Sequence, residues 1–219
     1  MARAVVFQKA LIAASANAVA LIQQPLAAGN LTLTAGAAAL DSQRRLLFTF
    51  GSNETGRILT VRGYNDSGGA ICETIAGTTA GTVASKFDYL SVTRISIDAA
   101  SAGNITVGTN GVGSTPWALF NNHLSPPNLN IDLELLSGSG NASIEWTNDD
   151  FTVNGQEATP IAYLTAMTPP VAQALTILDS KTASAQGSMS MPIRGWRLTI
   201  NSGTGTWKAT GIASGISGP

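Results

Sequence analysis

The search for chemistry starts with three carboxylates. Asp132 and Glu134 alternate with Ile131, Leu133 and Leu135, so a strand through them places both carboxylates on one face. Glu145 lies in the next apolar–polar stretch, read here as the partner strand of a hairpin. Paired carboxylates hydrolyse glycosides at defined separations, and they also bind calcium. The plainer reading is the solvent face of an amphipathic strand, because alternation demands polar residues there. Asn148-Asp149-Asp150 offers a cation site, but a turn accepting its own backbone hydrogen bonds explains the triplet more simply.

The single histidine, His123, would need Ser114 and Asp88 or Asp98 to build a nucleophilic triad, and no G-x-S-x-G accompanies them. It is read as capping a turn before Pro126. The glycine-rich run Gly108 to Gly113 lacks the lysine of a phosphate loop. Cys72 stands alone, which excludes an intrachain disulfide framework and a multi-cysteine zinc site. It is read as a small apolar side chain in a strand. Acceptor triplets at Asn53, Asn104 and Asn141 matter only in a eukaryotic secretory setting. No catalytic, cofactor-binding or metal residue is therefore assigned, no cofactor is expected, and the chain is read as non-enzymatic.

The elements that must position these residues are strands. Ile58–Arg62, Leu90–Ile97 and Leu129–Leu135 alternate most clearly, and Gly/Asn/Asp/Ser clusters separate such stretches from Asn30 to Asp150. The expected fold is an all-β antiparallel sandwich, jelly-roll or Ig-like, with an extended N-terminal arm and a C-terminal β-hairpin extension. Residues 1–29 are read as the arm, 30–150 as the main sandwich and 151–192 as an irregular excursion with a short helix near Thr159–Met167. Residues 193–219 are read as a closing strand pair that either completes the sandwich or belongs to a second small β module. Three hairpins are expected. They join 57–64 to 70–76, 89–98 to 105–109, and 129–136 to 142–147. Leu31–Thr34 and Arg45–Phe50 read as strands, and Thr78–Ala84 as a polar loop.

Composition narrows the partners. Charged residues make up 11% of the chain, against about 25% in ordinary globular proteins. An uncharged polar surface suits a protein that spends its life against neighbours, so a homo-oligomer is expected. A net charge of −1 supplies no basic footprint for nucleic acid. No stretch has the ~20 apolar residues of a membrane-spanning helix, so no membrane partner is expected. Ala4-Val5-Val6-Phe7 and Ala16-Asn17-Ala18 loosely mimic a secretory signal, but Gln8-Lys9 breaks the apolar run and no cleavage is expected. Arg44-Arg45, Arg57, Arg62 and Arg94 could meet an acidic partner surface. Of Trp117, Trp146, Trp196 and Trp207, most are expected in the core, and an exposed one would anchor an interface.

The segment from Arg45 to Asp150 resembles virion proteins of short-tailed bacteriophages. The resemblance rests on Ile58-Leu59-Thr60-Val61-Arg62-Gly63, Asn65-Asp66-Ser67-Gly68, Glu73-Thr74, Tyr89-Leu90-Ser91-Val92-Thr93-Arg94-Ile95 and Ala102 to Thr109. It continues through Gly113-Ser114-Thr115-Pro116-Trp117, Pro127-Asn128 and Trp146 to Asp150, and Ile193 to Thr206 resembles the final segment of those proteins. It implies a non-enzymatic virion component made in the bacterial host cytoplasm. Such a component would be a capsid decoration (cement) protein bound to the major capsid protein and to copies of itself. Alternatively, it would be a tail or head–tail accessory contacting tail or portal-adaptor proteins and anchoring fibres or spikes. No functional residue is carried over. A carbohydrate-binding β-sandwich is a further reading, in which exposed Trp and Tyr would form a stacking platform. Residues 1–29 are the expected inter-subunit contact.

Overall fold

A computed structural model of the chain describes residues 3–120, 124–148, 173–174 and 178–217. Among them the strands are β1 (Arg3–Lys9), β2 (Ala20–Gln23), β3 (Gly29–Asn30), β4 (Gln43–Asn53), β5 (Ile58–Tyr64), β6 (Ala70–Ala76), β7 (Thr79–Tyr89) and β8 (Ser91–Ile97). They continue with β9 (Ile105–Ser114), β10 (Ala118–Leu119), β11 (Leu124–Ser137), β12 (Gly140–Thr147), β13 (Gln173–Ala174), β14 (Ala185–Met189), β15 (Gly195–Gly203) and β16 (Thr206–Ser217). A 3-10 turn, Ala35–Ala38, lies between β3 and β4. The all-β, antiparallel, sandwich-type fold expected from alternation is the fold observed.

The chain divides into two compact units, each with its own apolar core. The central unit holds the described residues from Ala14 to Val112. One of its sheets runs β3-β8-β5-β6, and the other places β4 between β9 and β7, with β2 also on β9. Leu59, Val61, Ile95 and Ile97 from the first sheet and Leu46, Phe48, Phe50, Ile105 and Val107 from the second fill its core. The terminal unit holds residues 3–13, 113–148 and the described residues from 173 onward. Its sheets run β1-β16-β11-β14 and β13-β12-β15, with β10 and the Gly113–Ser114 end of β9 also on β15. Trp196 and Trp207 are fully buried there, among Ile131, Leu133, Ile144 and Leu198.

The expected 57–64/70–76 hairpin forms as β5–β6, in register from Ile58↔Ala76 to Tyr64↔Ala70. Its loop is closed by the Asn65 carboxamide, which accepts the Ser67 and Gly69 amides at 3.1 and 2.7 Å, and Gly68 takes a φ of +77°. A left-handed φ is costly for any residue with a Cβ, hence glycine.

The other two expected hairpins are corrected. β8 pairs with β5 and β3, whereas β9 belongs to the opposite sheet of the central unit. Likewise β11 pairs with β16 and β14, whereas β12 pairs with β15 and β13. The closing strands β15 and β16 also lie in different sheets, so no C-terminal hairpin extension forms. Each connection is an arch that carries the chain across the core. The physical reason is burial: an arch lets two successive strands press their apolar faces against each other, where a hairpin would set them side by side. In the terminal unit the two arches stack. Gly140 pairs with Gly203, the Gly205 amide donates to Ser139 at 2.9 Å, and a Cβ on Gly138 would stand 3.0 Å from Gly205.

Smaller corrections follow the same logic. Thr78–Ala84 is not a loop, because β7 starts at Thr79 and ladders along β4 with polar residues on its open face. Leu31–Thr34 is not a strand; only Gly29–Asn30 pair with β8, and Leu31 adds one amide bond to Ile95. The expected single sandwich of 30–150 is divided after Val112, within β9: Ile105 and Val107 lie in the central core, whereas Leu129, Ile131 and Ile144 lie in the terminal one. Residues 1–29 are not a free arm. β1 is a full edge strand on β16, the Phe7 ring meets Trp196 edge-on at 5.2 Å, and Val19 and Ala20 are fully buried in the central core. Deleting 1–29 would therefore remove core as well as surface. The helix expected near Thr159–Met167 and the remainder of the 151–172 excursion lie outside the described residues.

Candidate functional site

Asp132 and Glu134 share one face of β11, as alternation requires, and that face is the open side of the β1-β16-β11-β14 sheet. Glu134 is committed to Lys208 on the neighbouring strand, at 3.0 Å. The ammonium of Lys208, donating to it, and its coupling to the neighbouring Asp132 hold its carboxyl below the usual carboxylate range. Glu145 does not join them: it lies on β12, in the other sheet of the unit, so the expected partner-strand placement is corrected. Its Oε2 accepts Arg197 Nε at 2.8 Å and Nη2 at 2.7 Å, together with the Thr199 hydroxyl at 2.9 Å. A carboxylate holding three such donors is tied up as a structural anchor, without the free proton traffic of a general acid. The opposed carboxylate pair of a glycosidase is not assembled by these residues.

The Arg197 guanidinium also donates to Ser114 at 3.3 Å and lies over the Trp117 ring, 4.6 Å from its centroid. Beside this cluster runs a second polar group. Ser143 donates to Asp179 at 2.8 Å and accepts from Asn201 at 2.7 Å, and Asn201 also donates to Asn141 at 2.8 Å. Ser114, Ser143, Thr147 and Thr199 are buried on this face. The outer side of β12–β15 is thus a closed hydrogen-bonded layer. Trp196 and Trp207 are core, and Trp117 and Trp146 are half-buried, so none of the four tryptophans is an exposed anchor. For a sugar-stacking platform the described residues offer two half-buried tryptophans, of which Trp117 already carries Arg197, and in the central unit the exposed Tyr64.

The suggested triad is not assembled from its described members. Asp88 is spent on Arg45 at 3.1 Å, Asp98 is exposed at the end of β8, and Ser114 serves Arg197. His123, Asp149 and Asp150 lie outside the described residues. The glycine run has a packing explanation: a Cβ on Gly108 would stand 1.9 Å from the Ser15 carbonyl, whose oxygen accepts the Thr109 amide at 2.8 Å. Among the basic candidates, Arg57 donates to the Ala100 carbonyl at 2.7 Å, and Arg44 is buried 3.4 Å from Asp41. Arg62 and Arg94 stand opposite each other across β5–β8. Cys72 is fully buried, and burial pushes its thiol up despite the neighbouring Arg62.

Two features escaped sequence reasoning. Glu73 occupies a core-facing position of β6, between Ile71 and Ile75, and is 5% exposed. Burial pushes its carboxyl up to about 7, against the opposing hydrogen bond from the Lys86 amide at 3.0 Å. The buried Tyr89 phenol approaches the same carboxyl without good hydrogen-bond geometry. The only sequence signal was a charged residue where alternation asks for an apolar one. The second feature is the tip formed by Leu21, Ile22 and Leu26, all highly exposed. Its signal was the alanine-rich, apolar texture of the first thirty residues.

Among the described residues no group of three His, Cys, Asp or Glu side chains could hold a metal ion, and no helix is long and apolar enough to cross a membrane. Comparison with protein-family models, curated proteins and solved structures finds no match.

Proposed function

We propose that this chain is a non-enzymatic structural component of a bacteriophage virion, a capsid decoration protein that bridges and stabilises major capsid subunits. The observation that carries this reading is the way the polar chemistry is spent. Glu134, Glu145, Asp88 and Asp179 are each bonded to side chains of their own unit, and they brace sheets rather than converge on a cleft. What remains outward is a surface poor in charge, suited to lasting contact with neighbours. The resemblance of residues 45–150 to virion proteins of short-tailed phages supports the same reading. Mechanistically, each copy would bury surface against adjacent capsid subunits and oppose their separation. A standard interface buries ~1,600 Å² in total, and symmetric repetition turns modest contacts into avidity.

The test is cryo-electron microscopy of purified particles of the phage that encodes this chain. Many symmetry-related copies over the shell would support decoration. A few copies at one vertex would move the role to a tail or head–tail accessory, and absence from every particle would overturn the virion reading.

A further inference from the structure

The central unit holds arginines at 44, 45, 57, 62 and 94, and the fold commits the first three. Arg44 lies 3.4 Å from Asp41, Arg45 lies 3.1 Å from Asp88, and Arg57 donates to the Ala100 carbonyl at 2.7 Å. Arg62 and Arg94 are left. Among the described residues neither guanidinium has an ion pair, and the buried Arg62 Nε has no hydrogen-bond acceptor.

The register brings these two together. Arg62 on β5 stands directly opposite Arg94 on β8, and on its other side opposite Cys72 on β6. Their neighbours Val61 and Ile95 are in the core, so alternation turns both arginines to the outer face of the β3-β8-β5-β6 sheet. There Arg62 is half-buried and Arg94 exposed. Residues directly opposite have Cβ atoms about 4.5–5.5 Å apart, and like charges so placed destabilise a sheet. Burial pushes the Cys72 thiol up, and the close approach of Arg62 and the charge of Arg94 both oppose that rise, so the two guanidiniums bear on one spot. The adjoining row on the same face is Ser96, Thr60 and Thr74, which supplies hydroxyls and no charge. Glu73 faces the core instead. Along β8 the first carboxylate on the outer face is Asp98, roughly 13 Å from Arg94 at the rise of a strand.

Charge selects the occupant. Each guanidinium fork matches a carboxylate with two parallel donors, and the neighbouring hydroxyls add more. The amides of β5 are spent in ladders on both sides, so the face offers a small free ion no cradle of N–H groups. A carboxylate carried on a protein surface brings its own area to shield the contact from water. Nucleic acid needs a run of cations, and two supply little.

We propose that Arg62 and Arg94 form a docking site for carboxylate side chains of a protein partner, on the outer face of β5 and β8. The site stands apart from the virion reading, since it is assayed on the isolated chain. The experiment is calorimetric titration of the full chain with poly-L-glutamate at low salt. Arg94→Gln is run beside a control of equal charge change, Lys86→Gln, whose side chain is exposed on β7. Wild type and control should bind alike, and Arg94→Gln about tenfold more weakly. Thermal unfolding is the second readout: Arg94→Gln relieves the like-charge pair, so its midpoint should stay level or rise. Equal binding by wild type and Arg94→Gln, or no binding at all, would overturn the site. A midpoint clearly lowered by Arg94→Gln would return the pair to a structural role and overturn it as well. Inorganic phosphate and oligothymidylate are titrated in parallel. Tighter binding of either than of poly-L-glutamate would overturn the carboxylate partner, making a phosphate group the occupant.

Discussion

Glu145 in the terminal unit and Glu73 in the central unit are the same residue type in the same kind of strand, with opposite circumstances. Glu145 is one-fifth exposed at its side chain and accepts two guanidinium nitrogens and a hydroxyl. Glu73 faces a core of isoleucines and accepts the Lys86 amide at 3.0 Å. Burial costs a carboxylate its hydration, and only a cation with several donors offsets the loss. The terminal unit therefore uses its carboxylate as a brace. The central unit holds its carboxyl at the edge of ionisation near neutral pH.

The largest expected effect probes the core of the terminal unit, to which Glu145 belongs. Trp207→Ala empties a fully buried site and should cost about 3–5 kcal/mol, read from the denaturant midpoint. A loss below 1 kcal/mol would mean that the terminal core does not depend on its tryptophans. Next, Arg197→Ala leaves Glu145 without its cation. The expected loss is roughly 2–3 kcal/mol at pH 7. If Arg197→Ala were neutral, Glu145 would be no better braced than Glu73, and the contrast would fail.

Glu73 gives a pH signature. Its folded value of about 7 stands above the ordinary 4.5. Between those pH values the folded chain holds a proton that the unfolded chain has released. The associated stability is therefore fully present below pH 4.5, declines as pH rises and is gone above pH 7. The loss is on the order of 3 kcal/mol. Glu73→Gln should flatten this slope in melts recorded from pH 4.5 to 8, and an unchanged slope would remove Glu73 as its source. The smallest effect belongs to Glu134. Glu134→Gln breaks an open ion pair with Lys208 and should leave the unfolding midpoint within experimental error. A clear drop would show that the open sheet face carries stability as well as solubility.

Strand identity was legible because alternation reports which face is buried. Ile58–Arg62 and Leu129–Leu135 fall in strands, Leu90–Ile97 does so from Ser91 onward, and the closing segments form β15 and β16. Pairing was legible once, at β5–β6, where Asn65 and Gly68 dictate a tight turn. It failed at 98–105, 137–140 and 203–206, because Gly/Ser-rich connections serve hairpins and arches alike. The candidate carboxylates show the same limit. Asp132 and Glu134 were correctly placed on one face by their spacing, whereas Glu145 was assigned to the wrong sheet because its partner strand had been misjudged.

Period-two patterning, turn chemistry and low charge together determined an all-β chain with amphipathic strands and a weakly charged exterior. These properties are local: each residue's environment follows from its neighbours along the strand. Only the tertiary structure decided the two cores, the arches, the Arg197–Glu145 brace and the burial of Glu73. Each of those joins residues far apart in the chain, and a period of two marks a face without naming the strand that will lie beside it.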